Sequence, residues 1–143
     1  MVEIYPKSLS RSFSGDFLNQ LESGWSEVFE ILCKIGKGSI PDLELIEVTF
    51  LDDNEMARLH GEFLGDATTT DVITFEHGEL LIGVETAERQ SSEFKTSIYR
   101  EIALYGIHGM LHLAGFDDSS AKKAELMESR QKDLFNKVFA DLV

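Results

Sequence analysis

A chain of 143 residues has room for one domain with its own core and not for two, since domains typically run to about 100–150 residues. Its composition, 43% apolar with 10 Phe, excludes a largely disordered chain. No apolar run approaches the roughly 20 residues that cross a bilayer. The start, Met1-Val2-Glu3-Ile4-Tyr5, lacks the basic and apolar segments of a leader, so a soluble, cytoplasmic protein with no membrane partner is expected. The single cysteine, Cys33, rules out a disulfide framework and a cysteine-only zinc cluster, and its apolar helical setting predicts an inert thiol. A net charge of −13, from 26 acidic against 13 basic residues, opposes non-specific binding to phosphate backbones.

In chain order, Phe17, Leu21, Trp25, Val28, Phe29 and Leu32 recur at helical spacing before Gly36 and Gly38, which predicts a helix from about Ser14 to Ile35. Ile46, Val48 and Phe50 alternate with Glu47 and Thr49 as in a half-buried strand. Asp52 and Asp53 then offer N-caps to a short helix whose expected buried stripe is Met56, Leu59, His60 and Phe63. Residues 71–76 and 79–84 predict a β-hairpin turning at His77-Gly78. A helical run from about Thr86 leads through a polar stretch into Thr96–Ala114, which Gly115 ends, and a last helix covers about Ser120–Asp141. Five of the 13 basic residues, Lys122, Lys123, Arg130, Lys132 and Lys137, fall in that last helix among Glu125, Glu128 and Asp133, as on a solvated face. Early strands and late helices argue for an α+β fold, a small mixed sheet with a hairpin packed against several helices, and no glycine-rich phosphate loop argues otherwise. One domain, 1–143, is expected.

The chemistry concentrates in residues 108–118, His-Gly-Met-Leu-His-Leu-Ala-Gly-Phe-Asp-Asp. His108 and His112 are four apart on a helix, so their imidazoles leave one face a single turn of about 5.4 Å apart and can grip one metal ion. Gly115 permits a reversal, after which Asp118 is placed to supply a carboxylate oxygen, leaving a coordination position for water. The same spacing occurs in metzincin peptidases, but these carry a glutamate after the first histidine as general base, and that position here is Gly109. His77, in the turn, and His60, on a helix stripe, read as a turn residue and a packing residue.

The segment resembles the signature of the YbeY family of metal-dependent endoribonucleases, His-Gly-x-Leu-His-x-x-Gly-(Tyr/Phe)-Asp-His. Arg100-Glu101, residues 70–75 (Thr-Asp-Val-Ile-Thr-Phe) and residues 78–82 (Gly-Glu-Leu-Leu-Ile) match in kind and order, so the likeness covers roughly residues 46–120. It implies a single-strand-specific endoribonuclease that matures the 3′ end of small-subunit rRNA and serves ribosome quality control, with rRNA precursor and small-subunit components as partners. It also implies one zinc ion on three histidines. Two of these are His108 and His112, while the third position holds Asp118, with Asp117 beside it as a competitor. A carboxylate in place of a neutral imidazole lowers the charge at the metal by one unit. Family members commonly carry an arginine shortly before the Thr-Asp-Val segment, facing substrate phosphate; here that residue is Leu64, and Arg58, Arg89 and Arg100 are substitutes at other positions. No general base is assigned: Glu101 lies seven residues, about 10.5 Å of helix, from His108, and Asp71 and Glu79 sit on the hairpin. Leu64, Asp118 and the −13 charge favour, as the second reading, a ribosome-assembly or binding factor with little turnover; a metzincin-like peptidase is the third.

Overall fold

The computed structural model describes residues 1–6, 11–66 and 68–142. Its elements are strand β1 (Val2–Pro6), helix α1 (Gly15–Ile35), a 3-10 turn at Ile40–Asp42, β2 (Ile46–Leu51), α2 (Asp53–Leu64), β3 (Val72–Phe75), β4 (Glu79–Gly83), α3 (Val84–Phe94), α4 (Ile98–Leu113) and α5 (Ala121–Val138). The sheet has the order β1-β2-β4-β3. β1 and β4 both run parallel to β2, and β3 closes a hairpin antiparallel to β4. The α+β class and mixed sheet are as the residue pattern predicts.

Side chains alternate across the sheet, as the two-residue period of a strand requires. Val48, Phe50, Leu80 and Ile82 face the main core with α1, α4 and α5, while Leu51, Ile73 and Leu81 face a smaller cluster completed by Met56 of α2. The helices start where the sequence supplies caps. The hydroxyls of Ser14, Ser97 and Ser120 accept from the backbone N–H three residues on, and the Asp52 carboxylate does the same for α2.

α4 is the centre of the molecule, and α1 lies against it closely. The Trp25 indole N–H donates to the Ala103 carbonyl at 3.1 Å, and a Cβ at Gly106 would overlap the indole ring. Position 106 must therefore be glycine for the two helices to approach this far. At the C-terminal end of α4, Phe116 N–H bonds the Leu111 carbonyl and Gly115 N–H that of His112, with Gly115 at φ 90°. This Schellman-type stop turns the chain back, so residues 116–118 return toward the helix end instead of running on.

Three expectations change. The residue pattern predicts no strand before α1, because five residues ending in proline make a weak local signal; pairing of β1 with β2 stabilises it, and Pro6 is tolerated at the end of an edge strand. The run after Thr86 is two helices, broken at Lys95, the one non-glycine residue with positive φ (56°) among the described residues. On α2 the expected stripe shrinks to Met56: Leu59 and His60 are half-buried and Phe63 is 55% exposed.

Candidate functional site

Although α4 is apolar nearly all round, it carries one polar stripe at spacings of four, three and four: Glu101, Tyr105, His108 and His112. A helix this buried keeps such a stripe only where the packing opens. Two clefts lie along it. A groove of about 740 Å³ is lined by His108, His112, Asp71, Phe116, Asp117 and the aromatic rim of Phe63 and Phe75. A smaller cleft of about 370 Å³ is lined by Glu101, Tyr105, Gln90, Gln131 and Asp118. Asp71 and His108 line both and stand between them. A third hollow, about 350 Å³ between α1 and the residues around Phe139, brings no histidine with it.

The sequence-predicted histidine pair is assembled. The Nε2 atoms of His108 and His112 lie 3.1 Å apart, with the rings near perpendicular at 79°. Each ring is held from behind. His108 Nδ1 donates to the Gln131 carboxamide oxygen of α5 at 2.9 Å, which leaves a lone pair on Nε2. His112 is bonded to the Phe116 backbone. Two neighbouring imidazoles aimed at one point repel unless a proton or a cation sits between them. Burial first, and then the neighbouring His108, push the His112 pKa below its usual 6.5, against the opposing pull of Asp118 and Asp117. His112 is thus biased toward a neutral, cation-accepting imidazole.

The carboxylates are not gathered around the pair. Asp117 lies in the larger groove, its Oδ1 accepting from Ser119 N at 2.9 Å and Ser119 Oγ at 2.7 Å. Those bonds hold its pKa below the usual range, helped by Lys123. Asp118 is exposed and lines the smaller cleft with His108. Among the described residues no three His, Cys, Asp or Glu side chains stand close enough to hold a metal ion. Gly109 packs under the sheet, where an added Cβ would meet Leu80 at 2.9 Å; a peptidase-type carboxylate has no place there.

Other sequence candidates sort clearly. Asp71 reaches both clefts, its Oδ1 bonded by Val72 N at 2.7 Å. Glu79 instead opens β4 just after the hairpin turn, beside His77 at 3.4 Å. Glu101 is buried and accepts from Thr96 Oγ1 at 2.8 Å. Arg58 is bound to Glu55 and Glu62, Arg89 to Asp53 at 2.7 and 3.2 Å, and Arg100 lies over the Phe135 ring at 4.4 Å. Leu64 is 61% exposed on the groove rim. His60 Nδ1 bonds the Thr68 carbonyl at 2.9 Å, so it fastens a loop rather than filling the core. Cys33 is half-buried, with burial raising its thiol pKa, as an inert thiol requires.

Sequence reasoning missed Gln131 and Tyr105. Neither belongs to a local pattern with the histidines: Gln131 reaches His108 from another helix. The Tyr105 hydroxyl is buried without a hydrogen-bond partner among the described residues, and its pKa is pushed well up, by burial first and then by Glu101 and Asp71.

Fold and site together define an α+β protein with a paired-histidine centre at the end of its central helix, set in an open groove. The family model for endoribonuclease YbeY matches residues 18–139. Relatives named endoribonuclease YbeY include those of Bacillus velezensis, 28% identical over 89% of this chain and 89% of theirs, and Desulforamulus reducens, 29% over 71% and 76%. That of Flavobacterium johnsoniae is 32% identical over 62% and 68%. The solution structure of TM1509 from Thermotoga maritima superposes with a TM-score of 0.70 at 26% identity, covering 99% of this chain and 91% of that one. The chain belongs to the YbeY family, whose named members are endoribonucleases. No helix among the described residues is long and apolar enough to cross a membrane.

Proposed function

We propose that this chain is a metal-dependent endoribonuclease that cuts single-stranded rRNA precursor, at the 3′ end of the small-subunit RNA, in the cytoplasm and in company with small-subunit components. The observation that carries the reading is the convergence of His108 and His112 Nε2 at 3.1 Å in a groove open enough for a strand. Two oriented imidazoles are a fitting half of a divalent-cation site. Asp118, on the turn after Gly115, is the proposed third ligand; it lines the smaller cleft beside His108 and would have to swing in to complete the site. This donor set suits zinc, and zinc there would polarise a phosphodiester oxygen and offset charge developing in the transition state.

The protein's own residues do the rest. Gln131 fixes the His108 ring, and the Phe116 backbone fixes that of His112. Asp71, between the two clefts, is the carboxylate best placed to accept a proton from an attacking water or hydroxyl.

A ribosome-assembly factor with little turnover is the second reading. It is favoured by Leu64 on the groove rim and by arginines already engaged with Asp53, Glu55, Glu62 and Phe135. The two separate on cleavage: a labelled single-stranded precursor should be cut by the metal-loaded protein and left intact by His112→Ala. Equal treatment by both proteins would favour the assembly factor.

A further inference from the structure

Phe63 and Leu64 are the last two residues of α2, and both stand in the open, 55% and 61% exposed. Gly65, at φ 73°, turns the chain away directly after them. They form the rim of the groove that leads to His108 and His112. The rim continues as a row of rings. Phe63 meets Phe75 edge-on at 5.3 Å, and Phe75 stacks on His77 at 5.5 Å and 22°. These rings lie at the end of β3, one of the two outer strands of the sheet.

The charge of the groove selects its occupant. Its charged lining residues among those described, Asp71, Glu76 and Asp117, are all acidic. Arg58 and Arg89 are ion-paired and Arg100 is stacked on Phe135, so none is free to draw a phosphate in. An acidic wall repels the backbone of RNA but not the faces of its bases, which are uncharged and stack on aromatic and apolar side chains.

We propose that Phe63, Leu64 and Phe75 form a stacking platform for unpaired bases, so that this chain grips its RNA by base faces rather than by phosphates. The proposal rests on the endoribonuclease reading for its substrate. It accounts for an acidic protein acting on a polyanion: the protein holds uncharged surface beside the cleavage point and leaves the phosphates other than the scissile one in solvent. It also explains why two large apolar side chains stand exposed next to the histidine pair.

The test uses the metal-loaded full chain and a short single-stranded RNA, intact or with one nucleotide at a time made abasic. Phe63→Ala should raise KM about tenfold, the scale of one lost stacking contact, with a smaller effect on kcat, and Phe63→Trp should restore it. An abasic nucleotide at the matching position should raise the wild-type KM by a similar factor and add little in Phe63→Ala. KM should change little between about 50 and 200 mM salt, whereas a grip on several phosphates weakens steeply over that range. Indifference to abasic sites together with steep salt dependence would overturn the proposal. So would an unchanged KM in Phe63→Ala accompanied by loss of a dimer in sedimentation, which would make the rim a contact between copies. If the wild type cuts no RNA, the endoribonuclease reading falls. Binding of the same intact and abasic strands, followed by anisotropy, then decides the platform alone: equal affinity for both would overturn it.

Discussion

Tyr105 presents the least expected group in the molecule, a buried hydroxyl with no partner among the described residues. An unpaired buried polar group costs about 1–3 kcal/mol. Tyr105→Phe, which removes only that oxygen, should therefore leave the protein as stable or raise its unfolding free energy by about 1 kcal/mol, read from urea titration. A clear loss of stability would mean that the hydroxyl is paired by a water in the smaller cleft. His112 makes a different prediction. Its folded pKa lies below the usual 6.5 because of burial and the neighbouring His108, so the unfolded chain takes up a proton more readily. For metal-free protein, stability should be full above about pH 6.5 and fall as the pH drops through the folded pKa. The urea midpoint should fall further on acidification in the wild type than in His112→Gln; a smaller fall in the wild type would reverse the sign and refute the assignment.

Among the elements, the contact of α1 with α4 depends on a single position. A methyl group at 106 has no space beside Trp25, and overpacking a tight core typically costs about 1–3 kcal/mol. Gly106→Ala should lower stability by about that much and, by shifting the helix that carries both histidines, weaken metal retention. Unchanged thermal unfolding would show that the helices can part at little cost. The same contrast between local and long-range information explains what the sequence could reveal. α1, β2, the hairpin and α5 were legible because each carries its own period and caps, with Ser14 and Gly36 bounding α1 within a residue. β1 was not, since its partner lies 44 residues along the chain in register, Val2 against Ile46. The break at Lys95 was hidden because no glycine or proline marks it. The histidine pair could be read because four residues of helix bring its members together. Gln131 could not, because only the docking of α5 on α4 places it against His108.

At the scale of the whole molecule, the architecture reconciles a charge of −13 with membership of a family named for cutting RNA. The groove at the histidine pair is itself lined by acidic charge, with Lys37 and Lys123 confined to a small hollow adjoining it. Lys122, Lys123, Arg130, Lys132 and Lys137 stand exposed along α5, where Lys123 pairs with Asp117 and Lys132 with Glu128. The groove instead offers two nitrogens at 3.1 Å, a carboxylate shared between clefts, and an apolar rim. On the proposed reading the histidine pair would hold the cation that cleavage needs, with Gln131 and the Phe116 backbone orienting the rings.

The most direct test follows cleavage of a labelled precursor of small-subunit rRNA by zinc-loaded wild type and by His112→Ala purified identically, with the metal content of both measured. The account predicts that the wild type holds zinc and cuts, and that the variant folds but retains neither metal nor activity. Cleavage by His112→Ala at the wild-type rate, or full metal content in that variant, would contradict it.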